Sequence, residues 1–127
     1  MLRRLVNLAD LRAGNTALHL AVQNGHLATA KLLLAKGASP NLRNALGRSA
    51  LASAAAFGVH ESVAALLVAH GAKGNVKTNF GDTASQVAFK AGHKVLAARI
   101  VELEAERRQQ QIDAHRNHND LEAAAHM

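Results

Sequence analysis

The chain has 127 residues, a formal net charge of +6, no Cys, Trp or Tyr, and three Phe as its only aromatic residues. That composition excludes a disulfide framework and a thiolate metal site, and it offers little on which nucleic-acid bases could stack. The length suits one domain, and no apolar run approaches the ~20 residues that a membrane helix needs, so the expectation is a soluble intracellular protein, cytoplasmic or nuclear, with no leader before its first element.

Residues 1–10 admit two readings. Val6-Asn7 resembles the end of a preceding repeat unit that runs through Asp10 into a hairpin; alternatively Leu2, Leu5, Val6 and Ala9 have the spacing of a short capping helix. Residues 11–43 then form a first unit. Thr16 opens a helix with Leu18, Ala21 and Val22 on one face, and Gly25 can adopt the positive φ that stops it. Leu27, Ala30, Leu33 and Leu34 give a second amphipathic helix, which Gly37 ends. Residues 44–77 repeat this pattern from Ser49 to Gly71, with Val59 as one extra residue between the helices and Ala50, Ala52, Ala54, Ala55 and Ala56 crowding the first helix. Residues 78–104 repeat it again from Thr83, and here the second helix keeps Leu96, Ile100 and Leu103 on one side and polar Arg99, Glu102, Glu104 and Glu106 on the other, as the last unit of a stack requires. Phe89 stands where the other copies have Val22 and Ala55 and is expected to fill core at the end of the array. Residues 105–120 form a polar tail, helical at first and of disordered composition over Asp113 to Asp120; residues 121–127 read as the translation of cloning sites and are set aside.

The marks are periodic. Gly14, Gly47 and Gly81 are 33 and 34 residues apart, and so are Gly25, Gly58 and Gly92. A single helical pair cannot bury its own apolar face, so in-phase copies stack into an all-α solenoid. The units resemble ankyrin repeats, each a β-turn hairpin and two antiparallel helices, best in Gly14-Asn15-Thr16-Ala17-Leu18-His19-Leu20-Ala21 and Gly37-Ala38-Ser39-Pro40-Asn41. The Pro that the family favours after the Thr is absent at Ala17, Ala50 and Ala84, and its His survives at His19 alone, Ala52 and Gln86 taking its place. The resemblance implies that His19 is buried and hydrogen-bonds the loops.

No phosphate loop, nucleophile set or paired carboxylates lie within the repeats, so no catalytic residue, cofactor or small-molecule substrate is expected. Nor is a metal: His26, His60 and His93 read as turn or capping residues a full repeat apart, and His115 and His118 form a pair without further ligands. The resemblance implies a protein-binding scaffold whose partner meets the hairpin tips and the ends of the first helices on the concave side. Carried onto this chain, those positions are Arg12 and Asn15, Arg43, Leu46 and Arg48, and Lys77 and Phe80 on the hairpins, with Gln23, Asn24, Ala56, Phe57 and Lys90 at the helix ends. Residues 1–100 hold twelve Lys and Arg against three acids, and residues 101–127 three against six. This polarity points to an acidic protein partner, or to the tail folding back on the basic body. The other readings are polyanion or nucleic-acid binding by the body and self-association through exposed ends of the solenoid.

Overall fold

A computed structural model describes the backbone of residues 5–125 and the side chains of residues 5–114. Among them are six helices and no strand: α1 (Ala17–Gln23), α2 (Leu27–Ala35), α3 (Ala50–Phe57), α4 (Glu61–Ala69), α5 (Ala84–Lys90) and α6 (Lys94–Ala125). The side chains of His115 and His118 lie outside the described set.

Local chemistry sets the start of each first helix. Thr16 Oγ1 accepts the His19 amide at 3.3 Å, Ser49 Oγ accepts the Ala52 amide at 3.3 Å, and the Thr83 amide donates to Gln86 Oε1 at 2.9 Å. Each pair satisfies an amide that the first turn of a helix would otherwise leave without a partner. The helices stack in two layers, α1 on α3 on α5 and α2 on α4 on α6. The core runs through both layers, from Leu18 and Val22 through Leu51, Val63 and Leu67 to Ile100. Sandwiched on both sides, α3 has every residue from Ala50 to Ala55 at 1% exposure or less, which explains its composition: only small side chains let two neighbours approach the same short helix.

Three features depart from the expected pattern. Phe89 does not fill the core; it is 59% exposed. Its register is that of Val22 and Ala55, fully buried positions that face the next unit in the stack, and among the described residues its ring meets only the Lys94 ammonium, 5.9 Å from the centroid. The outer face of the last helical pair is likewise not uniformly polar, since Val95 and Val101 are exposed there. Finally, the tail does not fold back on the body. Helices α2 and α4 stop at Gly37 and Gly71, both at φ 99°, but Glu104 stands at the matching position of the third unit, and α6 continues to Ala125 as one helix of 32 residues.

Two contacts seat this longer helix. Arg107 Nη1 donates to the Val68 carbonyl at 2.7 Å, satisfying the C-terminal end of α4. The Glu104 carboxyl lies against the backbone of Gly74, in space that any Cβ there would occupy. Glu104 Oε1 has no hydrogen-bond partner, and desolvation raises its pKa against the opposing charge of Arg108.

Two stability predictions follow from these details. Gly47 sits at φ 76° with Asn79 and Arg43 where a Cβ would go, whereas Gly81, at φ 84°, has open space. In chemical denaturation Gly81→Ala is expected to cost only the left-handed backbone penalty of about 1–2 kcal/mol, and Gly47→Ala distinctly more because the hairpin contact is also lost. Glu104 releases its proton less readily folded than unfolded, so its contribution to stability falls as pH rises through and above the ordinary carboxylate range. Glu104→Gln is therefore expected to unfold at higher denaturant concentration than the parent at neutral pH, a gain that disappears in acid.

Candidate interaction surface

The hairpins between the units form a hydrogen-bonded stack. Asp10, Asn44 and Thr78 begin them, and in each the backbone closes on itself: Asp10 N–H to Asn15 O at 3.0 Å, Asn44 N–H to Arg48 O at 2.9 Å, and Thr78 N–H to Asp82 O at 2.8 Å. Successive hairpins are then joined, by the Ala45 amide to the Ala13 carbonyl at 2.8 Å and the Asn79 amide to the Leu46 carbonyl at 3.0 Å. The first hairpin is one residue longer, and Asp10 accounts for it. Its carboxylate accepts the amides of Arg12, Ala13, Gly14 and Asn15, with the 2.6 Å bond from Ala13 the shortest. Those bonds, Ala13 first, hold the carboxyl below its ordinary pKa.

His19 ties the first hairpin-helix junction to the second. It is 1% exposed; Nε2 donates to the Arg48 carbonyl at 2.9 Å, so Nδ1 is the acceptor for the Thr16 amide at 3.1 Å and the Thr16 hydroxyl at 2.9 Å. Both ring nitrogens are committed, which leaves no lone pair for catalysis or metal binding. The other turn histidines differ: His60 Nδ1 accepts the Ser62 amide at 3.1 Å and caps α4, the His93 ring packs against Gly58, and His26 takes the position before α2 without a side-chain bond. Among the described residues no group of three His, Asp or Glu side chains could hold a metal ion, and no helix is long and apolar enough to cross a membrane.

The sequence-selected surface residues divide into two groups. Four of them hold the scaffold. Arg43 donates through Nε to the Gly47 carbonyl at 3.1 Å and through Nη2 to Asn79 Oδ1 at 3.2 Å, bridging two hairpins. Asn15 Oδ1 accepts the Asn44 side-chain amide at 2.9 Å, Asn24 donates to the Leu20 carbonyl at 2.8 Å, and Lys90 Nζ pairs with Asp82 at 2.8 Å. The second group is directed to solvent. Phe57, at the last position of α3, is 56% exposed, Phe80 79% and Leu46 45%. Arg12 and Lys77 are exposed, Arg48, Gln23 and Ala56 half-buried, and none of Arg12, Arg48 and Lys77 has a carboxylate within 4 Å among the described residues. Leu11 belongs with them: it is the inserted residue of the first hairpin and is fully exposed. Its signal in the sequence is the extra residue before Gly14.

Burial disfavours the imidazolium of His19 and lowers its pKa, against the weaker opposing bonds to the Arg48 and Leu42 carbonyls. The unfolded chain thus binds this proton more readily than the folded one. Stability is complete above the ordinary histidine pKa of 6.5 and declines as pH falls below it. His19→Gln is expected to be less stable than the parent at neutral pH and to lose less stability on mild acidification, as read from denaturant midpoints at the two pH values.

Residues 13–45 match the ankyrin repeat family. A stretch of 50 residues is 50% identical to the ankyrin repeat domain-containing protein 13C of Danio rerio; it makes up 39% of this chain and 10% of that relative, so the chain spans only a small part of the relative's length.

Proposed function

We propose, for a chain whose repeat body belongs to the ankyrin repeat family, that its function is to bind a partner protein of acidic character on the surface made by its hairpin tips and the ends of α1, α3 and α5. Ankyrin repeats are in general non-catalytic modules of protein–protein interaction, and the finer reading rests on one observation. Leu46 and Phe80 project from consecutive hydrogen-bonded hairpins, Phe57 from the end of the helix between them, and the same hairpins carry Arg48 and Lys77 without carboxylate partners among the described residues.

The chemistry of such a surface assigns different tasks to the two residue types. The apolar side chains are held on a backbone stack that is already ordered, so burying them costs little conformational entropy. Aromatic anchors of this kind dominate interface energies. The cations act at longer range, raising the rate of encounter with an acidic surface and rejecting a basic one. Arg43 and Lys90 contribute less to recognition on this reading, because their charges are engaged within the repeats.

Capture of binding proteins from lysate on the immobilised chain tests both parts. Phe57→Ala with Phe80→Ala is expected to weaken binding by tenfold or more, about 1.4 kcal/mol, at any salt concentration. Arg48→Glu with Lys77→Glu is expected to remove the same partner, with the fold unchanged by circular dichroism. A partner retained equally by the charge-reversed chain overturns the acidic assignment, and capture of nucleic acid alone, released by salt, favours polyanion binding by the basic body.

A further inference from the structure

The side of the array formed by α5 and α6 is open where the preceding units are closed. In the first two units Val22 and Ala55, on the first helices, and Leu34 and Val68, on the second, are at most 8% exposed because the next unit covers them. The matching residues of the third unit, Phe89 and Val101, are 59% and 51% exposed. Between them runs a groove of about 490 Å³ lined by Phe89, Lys94, Ala97, Ala98 and Val101, with Lys90 at its rim. The residues that follow do not return to cover it, because α6 continues as a helix past Glu104.

We propose that this face is a self-association surface, on which α6 of a second copy of the chain lies antiparallel to α6 of the first, crossing near Ala98. Two observations select that occupant. The face continues the helix-on-helix interface that already joins the repeats, so its register suits helices, and the small side chains of Ala97 and Ala98 permit their close approach. The exposed part of α6 is also polar in charge along its length, with Lys90 and Lys94 at its N-terminal end and Glu102 and Glu106 two to three turns later. An antiparallel second copy sets the basic end of each helix at the level of the acidic stretch of the other, whereas a parallel one sets like on like. A two-fold contact of this kind closes on itself and stops at a dimer. It buries Phe89, Ala98 and Val101 of both copies and leaves the hairpin tips of both accessible.

Sedimentation equilibrium over a wide range of concentrations tests the proposal, together with a cysteine placed at the crossing point of a chain that has none. The parent chain is expected to shift from monomer to dimer mass as concentration rises, and Val101→Glu to remain monomeric with unchanged helicity. Ala98→Cys is expected to form a disulfide-linked dimer under mild oxidation, and Lys31→Cys, on α2 in the first unit, to form none under the same conditions. A parent chain that is monomeric throughout overturns the proposal and leaves the face to a different molecule. Equal cross-linking of the two cysteine variants, or a dimer that survives Val101→Glu, overturns the assigned surface.

Discussion

The structure depends on one constraint: each helical pair has two apolar sides and can close only one of them against itself. Everything else follows from stacking. Leu18 and Val22 of α1 reach full burial by meeting α3, and α3 in turn is covered by α5. The energetic return is of the order of 1.5–3 kcal/mol for each large aliphatic side chain so enclosed. The middle unit gains most and must therefore have the smallest side chains, which is the physical content of the run Ala50 to Ala56. The hairpins transmit the same constraint at the edge of the stack, where amide-to-carbonyl bonds between successive turns hold the units in one register.

Much of this was legible in the sequence, since periodicity survives substitution when it encodes geometry. Glycines 33 and 34 residues apart mark the places where the backbone must turn, and Thr16, Ser49 and Thr83 mark the helix starts because a short hydroxyl side chain is what the first turn needs. The buried role of His19 was equally accessible, and its donor and acceptor partners follow from the neutral ring. Less legible was anything that depends on what lies alongside. A Phe in a buried register reads as core, yet Phe89 is exposed because burial at that position is conferred by the following unit. Glu104 gives the clearest contrast: its identity, in place of a glycine, predicts that α6 does not stop, but only packing reveals that its carboxyl uses the space above Gly74.

The cations show the same limit from another direction. Composition establishes that residues 1–100 are basic, and family geometry suggests which positive side chains lie at the hairpins, but it does not say which are already occupied. Arg43 and Lys90 spend their hydrogen bonds within the scaffold, while Arg12, Arg48 and Lys77 meet no carboxylate among the described residues. A surface assembled from positions alone therefore overstates the charge available to a partner. The engaged residues still matter for recognition, because Arg43 fixes two hairpins relative to each other and so fixes the spacing of Leu46 and Phe80.

The two proposed surfaces lie on different parts of the repeat, and this separation has a physical basis. Hairpin tips are displayed by backbone bonds that run along the stack, and they remain in place whether or not the end of the stack is covered. The α5–α6 face, by contrast, is made of the side chains that stacking normally consumes, so its occupant must resemble another helical layer. A dimer formed there leaves two copies of the basic hairpin surface free to engage one acidic partner or two. If a single partner reaches both copies, its second contact becomes intramolecular, and modest affinity at each surface is raised by effective concentration without any added contact.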